Sequence, residues 1–399
     1  MNSDLSNLQP YPFERIAQLK AGITPPDDLS MISLSIGEPK HPCPDIITSA
    51  ITENLSQFEN YPMTKGTVEL RTTIANWLQN RFNLPAGSID EDKHVLPVNG
   101  TREALFAFAQ CVVDRTQHHA KVLMPNPFYQ IYEGAAILAG AEPIFLPCTE
   151  ETGYSPDYTA VPTATWNNCQ LLYLCTPGNP TGSVASLDAL KQILELAEKH
   201  NFIVASDECY SELYFDEDAP PAGLLQAAAE MGNTEYKRCA VFHSLSKRSN
   251  APGLRSGFVA GDADILKQFL LYRTYHGCAM SLPVQKASIV AWNDEEHVRE
   301  NRVQYRRKFD AVLDILDPVM KVSRPAASFY LWPETPQDDE TFTQEIYRLQ
   351  YINVVPGSYL ARTVDGLNPG QSRIRMALVA PVEECVEAAH RIRTYLETR

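Results

Sequence analysis

One lysine stands directly after an apolar run in HSLSKRSNAPGLRSGF, residues 243–258. The preceding CAVF is typical of the end of a buried strand, so Lys247 is expected just beyond the carboxyl end of that strand. The stretch also carries the hydroxyls of Ser244 and Ser246 and the guanidinium of Arg255, which together suit a phosphate. An amine near other cations has a lowered pKa and can form a Schiff base. A reactive lysine, a phosphate anchor and a solvated loop residue all remain open at this point.

A second anion-binding feature lies in VNGTREAL, where a predicted strand runs into a predicted helix at Gly100, Thr101 and Arg102. Free backbone N–H groups and the helix dipole favour an anion there, although a plain glycine turn explains the same residues. Neither G-x-x-x-x-G-K-[ST] nor G-x-G-x-x-G occurs, so neither a nucleoside triphosphate nor a dinucleotide is indicated.

Three further side chains could hold an aromatic cofactor. Asp207 follows the apolar FIVAS, where it is either a capping or ion-pair carboxylate or the counter-ion of a protonated ring nitrogen. Tyr129 is either a packed aromatic or a ring that stacks on the cofactor, and Asn179 is either a turn residue or a hydrogen-bond donor. Because all of them follow predicted strands, they are expected together at the carboxyl ends of the strands, where open α/β sheets bind ligands.

The elements that must position these residues alternate between short apolar runs and amphipathic helical stretches. This alternation predicts an α/β fold with a mostly parallel sheet covered on both faces. From about residue 280, long charged helices precede the short apolar runs ASFYLW, INVVPG and RIRMALV, which indicate a smaller α+β module. We predict a large domain over 41–279 and a small domain formed by 1–40 and 280–399.

Composition bounds the function further. The 399-residue chain is 44% hydrophobic and has a formal charge of −15, which argues against nucleic acid or an anionic membrane as a partner. No secretory signal and no membrane-spanning apolar run is recognisable. The nine cysteines are scattered singly, which favours reduced thiols over a zinc site or a disulfide framework. We therefore expect a cytoplasmic protein without a metal.

Taken in order, the motifs resemble the class I/II aminotransferases of pyridoxal phosphate (PLP) fold type I. The motifs are LSIGEP, YPMTKGTVELR, NGTREAL, PNPFYQIY, TPGNPTG, SDECY, SLSK with GLRSGF, and RIRMALV. The resemblance implies PLP as cofactor, amino and keto acids as substrates, and a homodimer with shared active sites. It also implies a large domain with a seven-stranded, mostly parallel sheet between helices, beside the smaller α+β domain.

Carried over by position, the resemblance makes Lys247 the residue that binds the cofactor aldehyde and then moves the proton. Asp207 is expected to pair with the ring nitrogen, Asn179 and Tyr210 to bond the 3′-oxygen, and Tyr129 to stack on the ring. The phosphate is expected to contact Gly100, Thr101, Arg102, Ser244, Ser246, Arg255 and the partner subunit's Tyr61. The substrate α-carboxylate is expected at Gly37, Asn179 and Arg375.

Two further arginines are ambiguous. Arg373 shares SRIRMAL with Arg375 and is either a second anion contact or a surface charge. We place both on one face of a strand, since they are two residues apart. Arg248, directly after the lysine, is expected either to recognise a distal carboxylate or to be solvated.

Within the family, LSIGEPKH and SKRSNAPGLRSGFVAGD are most similar to bacterial succinyldiaminopimelate aminotransferases of lysine and diaminopimelate biosynthesis. The implied reaction is a ping-pong exchange between glutamate/2-oxoglutarate and N-succinyl-2-amino-6-oxopimelate. The alternatives are another amino-acid specificity such as acetylornithine or aspartate, a PLP-dependent C–S lyase, and a non-catalytic ligand-sensing domain.

Overall fold

The computed structural model describes residues 1–398, which form fourteen α-helices and twelve β-strands. The helices are α1 Pro12–Leu19, α2 Asp45–Glu53, α3 Val68–Arg81, α4 Thr101–Val112, α5 Ile131–Leu138, α6 Thr163–Trp166, α7 Leu187–His200, α8 Leu224–Glu230, α9 Leu245–Arg248, α10 Ala263–His276, α11 Leu282–Asn293, α12 Glu296–Leu316, α13 Asp339–Gln350 and α14 Val382–Glu397. The strands are β1 Ile32–Ser33, β2 Val95–Val98, β3 Lys121–Asn126, β4 Glu142–Pro147, β5 Cys169–Cys175, β6 Ile203–Asp207, β7 Cys239–Ser244, β8 Gly257–Gly261, β9 Tyr330–Leu331, β10 Ile352–Asn353, β11 Val355–Pro356 and β12 Ile374–Ala377.

Seven strands form the large sheet in the order β2-β8-β7-β6-β5-β3-β4. Strand β8 is antiparallel to β2 and β7, and the other neighbouring pairs are parallel. One hydrophobic core joins the sheet to α2, α3, α7, α8 and α11, and a second core joins its other face to α4, α5 and α10. Both faces are therefore covered, which explains why the strands are continuous apolar runs. The predicted fold class is confirmed.

One strand of this sheet was not predicted from the sequence. Strand β4 pairs in parallel with β3 and forms the edge of the sheet. Its sequence EPIFLP contains two prolines, and most of its residues are only partly buried. A proline interrupts an apolar alternation and is tolerated at a sheet edge, so the sequence pattern there is weak.

The smaller sheets bring the two ends of the chain together. Strand β1 pairs in parallel with β10, and β12 lies between β11 and β9 in an antiparallel sheet. Helices α12, α13 and α14 share a hydrophobic core with β1, β9, β10 and β12. The limits 41–279, 1–40 and 280–399 stay a prediction. Helix α11, however, places Ala287 and Trp292 in the core of the large sheet, so its packing favours a boundary beyond Asn293.

No helix within residues 1–398 combines the length and the apolar character needed to cross a membrane.

Candidate active site

A cavity of about 460 Å³ lies at the carboxyl ends of β6 and β7. The large sheet and its helices form one wall, and Tyr330, Val355 and Arg375 of the smaller sheet close the other side. Residues 11–13 at the start of α1 lie across the same cavity. The cavity brings together the predicted residues Gly37, Thr101, Arg102, Tyr129, Asn179, Asp207, Tyr210, Ser244, Ser246, Lys247, Arg255 and Arg375.

Lys247 is carried by the short helix α9, which starts where β7 ends. The Ser244 side chain caps this helix by accepting a hydrogen bond from the Ser246 N–H at 3.1 Å. The Lys247 ammonium donates to the carbonyl of Gly37, across the gap between the two parts of the molecule. Burial lowers the pKa of Lys247 to about 8, and the charges of Arg375 and Arg255 act in the same direction. The amine is therefore easily freed of its proton, as a nucleophile or base requires.

Asp207 is the last residue of β6 and is 4% exposed. The Tyr132 hydroxyl donates to one carboxylate oxygen at 2.6 Å, and the Cys209 N–H donates to the other at 3.3 Å. Burial raises the pKa of Asp207, while these two hydrogen bonds lower it. A carboxylate in this position can accept a hydrogen bond from a protonated ring nitrogen placed in the cavity.

The end of the cavity where a phosphate is expected is formed by the start of α4. Gly100 precedes the helix with a φ of 90°, and a Cβ at this position would overlap the guanidinium of Arg255. Arg255 has a φ of 52° and donates to the carbonyl of Pro252 at 2.9 Å. Thr101 and Ser246 line the same region. This end of the cavity thus combines a helix N-terminus with the hydroxyls of Thr101 and Ser246 and the guanidinium of Arg255. Such a set of donors suits a phosphate dianion.

Gly100 itself does not line the cavity; its contribution is the close approach of Arg255 to the helix start.

Arg375 lies on β12 and is 5% exposed. Its guanidinium donates to the Asn179 side-chain oxygen at 3.0 Å and to the Ser35 carbonyl at 2.7 Å. Its Nε is buried without a hydrogen-bond partner in the described chain, so a donor remains for a ligand. Gly37 lies close by, where a Cβ would overlap the Tyr330 hydroxyl. This corner suits a carboxylate.

The other two arginines are placed differently. Arg373 precedes β12, donates to Glu150 at 2.8 Å and to the Trp332 carbonyl at 3.2 Å, and is absent from the residues that line the cavity. Its contacts therefore favour the surface-charge interpretation.

Both alternatives for Arg248 are wrong. The side chain is 1% exposed, lies outside the cavity lining, and donates to Glu295 and to the Ala291 and Asp294 carbonyls. A buried guanidinium needs such partners, and they fix α9 to the end of α11.

The aromatic residues surround the middle of the cavity. Tyr129 lies edge to face with Tyr132 at 5.8 Å between ring centroids, and the hydroxyls of Tyr210 and Tyr330 lie 3.0 Å apart. Burial raises the pKa of Tyr129 and of Tyr210, so both phenols are neutral hydrogen-bonding groups. Tyr61 is fully exposed and outside this cavity; its expected contact with a partner subunit stays a prediction.

Sequence reasoning missed Tyr132 and Tyr330. Tyr132 stands three residues after Tyr129 in PNPFYQIY, which places both near the start of one helix. That spacing was a usable signal. Tyr330 comes from a strand of the smaller sheet, and nothing local in ASFYLW indicates which cavity it reaches.

The groups fit the expected cofactor. PLP carries a dianion, a ring nitrogen and an aldehyde, and the cavity offers a helix start with Arg255, a buried carboxylate and a buried amine of lowered pKa. The unpartnered Nε of Arg375 leaves a separate donor for a substrate carboxylate.

The chain is similar to known proteins along nearly its whole length. The family model "Aminotransferase class I and II" matches residues 30–392. An LL-diaminopimelate aminotransferase of Desulforudis audaxviator is 32% identical over 395 residues, covering 98% of this chain and 96% of that protein.

Two solved structures are also similar. An aminotransferase from Neisseria meningitidis Z2491 has 49% identity and a TM-score of 0.95, covering 99% of this chain and 100% of that one. A probable N-succinyldiaminopimelate aminotransferase from Thermus thermophilus has 26% identity and a TM-score of 0.83, covering 96% and 100%. The predicted family and cofactor are confirmed: the chain belongs to the class I and II aminotransferases, which depend on PLP.

Proposed function

We propose that this aminotransferase exchanges an amino group between glutamate/2-oxoglutarate and N-succinyl-2-amino-6-oxopimelate. The observation that carries the amino-transfer chemistry is the meeting of Lys247, Asp207 and Arg375 in one cavity. The substrate is supported by the relatives named for diaminopimelate and by the remaining cavity wall.

That wall combines apolar residues with one free cation. Pro12, Phe13, Ile36 and Leu360 line it, and they suit the methylene chain of a pimelate. Arg102 lines the same cavity, and the described residues offer it no carboxylate. Its guanidinium lies 5.3 Å from the centre of the Tyr11 ring. A second carboxylate on the substrate would supply the missing partner.

When bound, PLP acts as an electron sink that makes the substrate Cα proton acidic. Lys247, whose pKa burial lowers to about 8, would be the base that moves this proton when PLP is bound. Asp207 supplies a fixed negative charge for the ring nitrogen. Arg375, which donates to Asn179, would bind the α-carboxylate and so restrict how the substrate can lie relative to Lys247.

The other predicted contacts complete the assignment. Tyr129 is assigned to the ring face, and Asn179 and Tyr210 are assigned to the 3′-oxygen. The phosphate is assigned to the backbone amides at the start of α4, from Gly100 to Arg102, with Ser244, Ser246, Arg255 and the partner subunit's Tyr61, which leaves the Arg102 guanidinium available to the substrate.

A second candidate acceptor is the unacylated keto acid that corresponds to LL-diaminopimelate. Glu38 also lines the cavity and has no ion-pair partner within residues 1–398. Its carboxylate suits a free distal ammonium, which an N-succinyl group would remove. The relative with 32% identity is named for this unacylated substrate.

A substrate panel separates these candidates. Initial rates with glutamate are compared for the N-succinyl keto acid, the unacylated keto acid, and keto acids with one carboxylate. We expect the N-succinyl compound to give a kcat/KM about tenfold or more above the others, the discrimination that one buried charge contact provides. A preference for the unacylated compound would show that the unacylated keto acid is the acceptor.

The half-reaction with glutamate tests the chemistry itself. We expect the visible absorbance of the lysine-bound cofactor to disappear without release of pyruvate or ammonia. Pyruvate formed from cystathionine at a comparable rate would instead indicate a C–S lyase.

A further inference from the structure

Asp207 is a buried carboxylate without a cation beside it. No Lys or Arg lies within ion-pair distance in the described chain; the ionisable groups that face it are phenols, thiols and one imidazole. These groups come from every element packed around the end of β6: Tyr129, Tyr132, Tyr173, Cys175, Cys209, Tyr210 and His243. A charge in such a place depends on hydrogen bonds, because burial alone disfavours it.

Tyr132 makes the shorter of the two hydrogen bonds to this carboxylate. Its hydroxyl donates at 2.6 Å, whereas the Cys209 N–H lies at 3.3 Å, near the limit for a hydrogen bond. Short O–H···O⁻ bonds are the stronger kind. Tyr132 therefore makes the shortest hydrogen bond to Asp207, and together with Cys209 it lowers the pKa that burial raises.

The Tyr132 ring is held so that it cannot turn away. It is fully buried and stacks on Tyr173 with 4.5 Å between centroids and 12° between planes. Tyr173 is itself fixed, because its hydroxyl donates to the Leu105 carbonyl on α4 at 2.7 Å. Two stacked tyrosines thus lie under the cavity, and only one of them reaches the carboxylate.

We propose that Tyr132 is a positioning residue that acts through Asp207: its hydroxyl fixes the carboxylate in one orientation and sustains the negative charge presented to the cofactor ring. This inference rests on the proposed role of Asp207. It assigns a function to a side chain that does not line the cavity.

Loss of the Tyr132 hydroxyl would change the pKa of Asp207. Burial raises the pKa of Asp207 and the Tyr132 hydrogen bond lowers it, so without that bond the carboxyl holds its proton to a higher pH. A protonated carboxyl no longer attracts a protonated ring nitrogen. Cofactor affinity and turnover then decline at a pH where the unmodified protein still functions.

The test compares Tyr132→Phe with the matched control Tyr173→Phe. Each variant loses one buried hydroxyl from the same stacked pair, but only the first loses a bond to Asp207. We measure PLP affinity of the apoprotein and kcat for the glutamate half-reaction, each as a function of pH. KM for glutamate serves as the readout that should not move.

For Tyr132→Phe we expect about tenfold weaker PLP binding at neutral pH and an acidic limb displaced upward by about one pH unit, the change produced by one charged hydrogen bond. We expect Tyr173→Phe to keep the unmodified profile. Identical profiles for the two variants would overturn the proposal. If Tyr132→Phe does not fold, Tyr132→Leu, which also lacks a donor, carries the same expectation.

Asp207→Asn separates this inference from the proposed function. Full turnover in Asp207→Asn would mean that the role proposed for Asp207 is wrong. An inactive Asp207→Asn beside an unaltered Tyr132→Phe would overturn only the role of Tyr132.

Discussion

Burial shifts the pKa values of Lys247 and Asp207, the two central ionisable residues of the cavity, in opposite directions. It lowers the pKa of Lys247 to about 8, which makes the amine easier to deprotonate, and it raises the pKa of Asp207, which makes the carboxylate more basic. Desolvation disfavours the charged form of each group, so the same burial favours the neutral amine of Lys247 and the protonated carboxyl of Asp207. The hydrogen bonds to Asp207 then restore the charge that its role requires.

The rate at which the apoprotein binds PLP covalently should follow the free amine of Lys247. Because the folded-state pKa is about 8, we expect this rate to rise through that pH and to level off near pH 9. Stopped-flow absorbance across pH 6.5–9.5 measures it, a range of roughly 1.5 pH units either side of that pKa. Lys247→Ala is the control: it should still bind PLP, without the covalent band and without turnover. A rate independent of pH would contradict the lowered pKa.

The raised pKa of Asp207 also predicts a cost in stability. In the apoprotein the unfolded chain releases this proton at a lower pH than the folded chain, so stability falls as pH rises between the two pKa values. Asp207→Asn removes that buried charge. We therefore expect the apo variant to melt at a higher temperature than the unmodified apoprotein at pH 7, and at a similar temperature at pH 4. A lower melting temperature at pH 7 would show that the amide cannot replace the hydrogen bonds.

At the scale of elements, the proposed phosphate site depends on how closely Arg255 approaches the start of α4. A glycine at position 100 permits both the φ of 90° and the contact with the guanidinium. The helix N-terminus and the arginine can therefore serve one anion together.

Gly100→Ala should weaken PLP binding by displacing Arg255 and straining the turn. Gly232→Ala is the matched control, since it also has a positive φ, 81°, but a Cβ there meets no atom within 4 Å. We expect both variants to lose folding free energy from backbone strain, about 1–3 kcal/mol each. Only Gly100→Ala should bind PLP and inorganic phosphate more weakly, by about tenfold, as measured by titration of the apoprotein. Equal affinities in the two variants would contradict this account.

At the scale of the molecule, the cavity lies between two separately packed parts. Lys247 and Asp207 belong to the large sheet, Arg375 belongs to the smaller one, and residues 11–13 lie across them. A surface of exposed apolar side chains lies elsewhere, at Leu55, Phe58, Tyr61, Met63 and Val68. The homodimer expected from the family would cover such a surface, and it would carry Tyr61 to the partner's cavity.

Mixing two impaired variants tests that shared arrangement. Lys247→Ala lacks the amine, and Tyr61→Phe should bind PLP more weakly. In a mixed dimer, the subunit that keeps Lys247 would receive the intact Tyr61 of its partner. We expect activity after co-refolding at limiting PLP to exceed the sum of the separate variants, with sedimentation giving twice the 44.6 kDa chain mass. No gain on mixing would place Tyr61 outside the partner's site.

The sequence by itself determined most strands of the large sheet and most of the chemical groups. Apolar runs of strand length bounded by turn residues predicted β2, β3, β5, β6, β7 and β8, because a buried parallel sheet leaves that pattern in the local sequence. Lys247 and Asp207 were recognisable because each is a charged residue after such a run, and Arg255 because it is a second cation eight residues beyond Lys247.

Only the tertiary structure decided the contacts between residues far apart in the chain. It separated Arg375 from Arg373, showed Arg248 to be a buried structural residue, and brought Tyr132 to Asp207 across 75 positions. Packing, burial and hydrogen-bond partners set the ionisation of a side chain. They arise when distant segments meet, so local spacing could name the reacting groups but could not show what holds them in their reactive states.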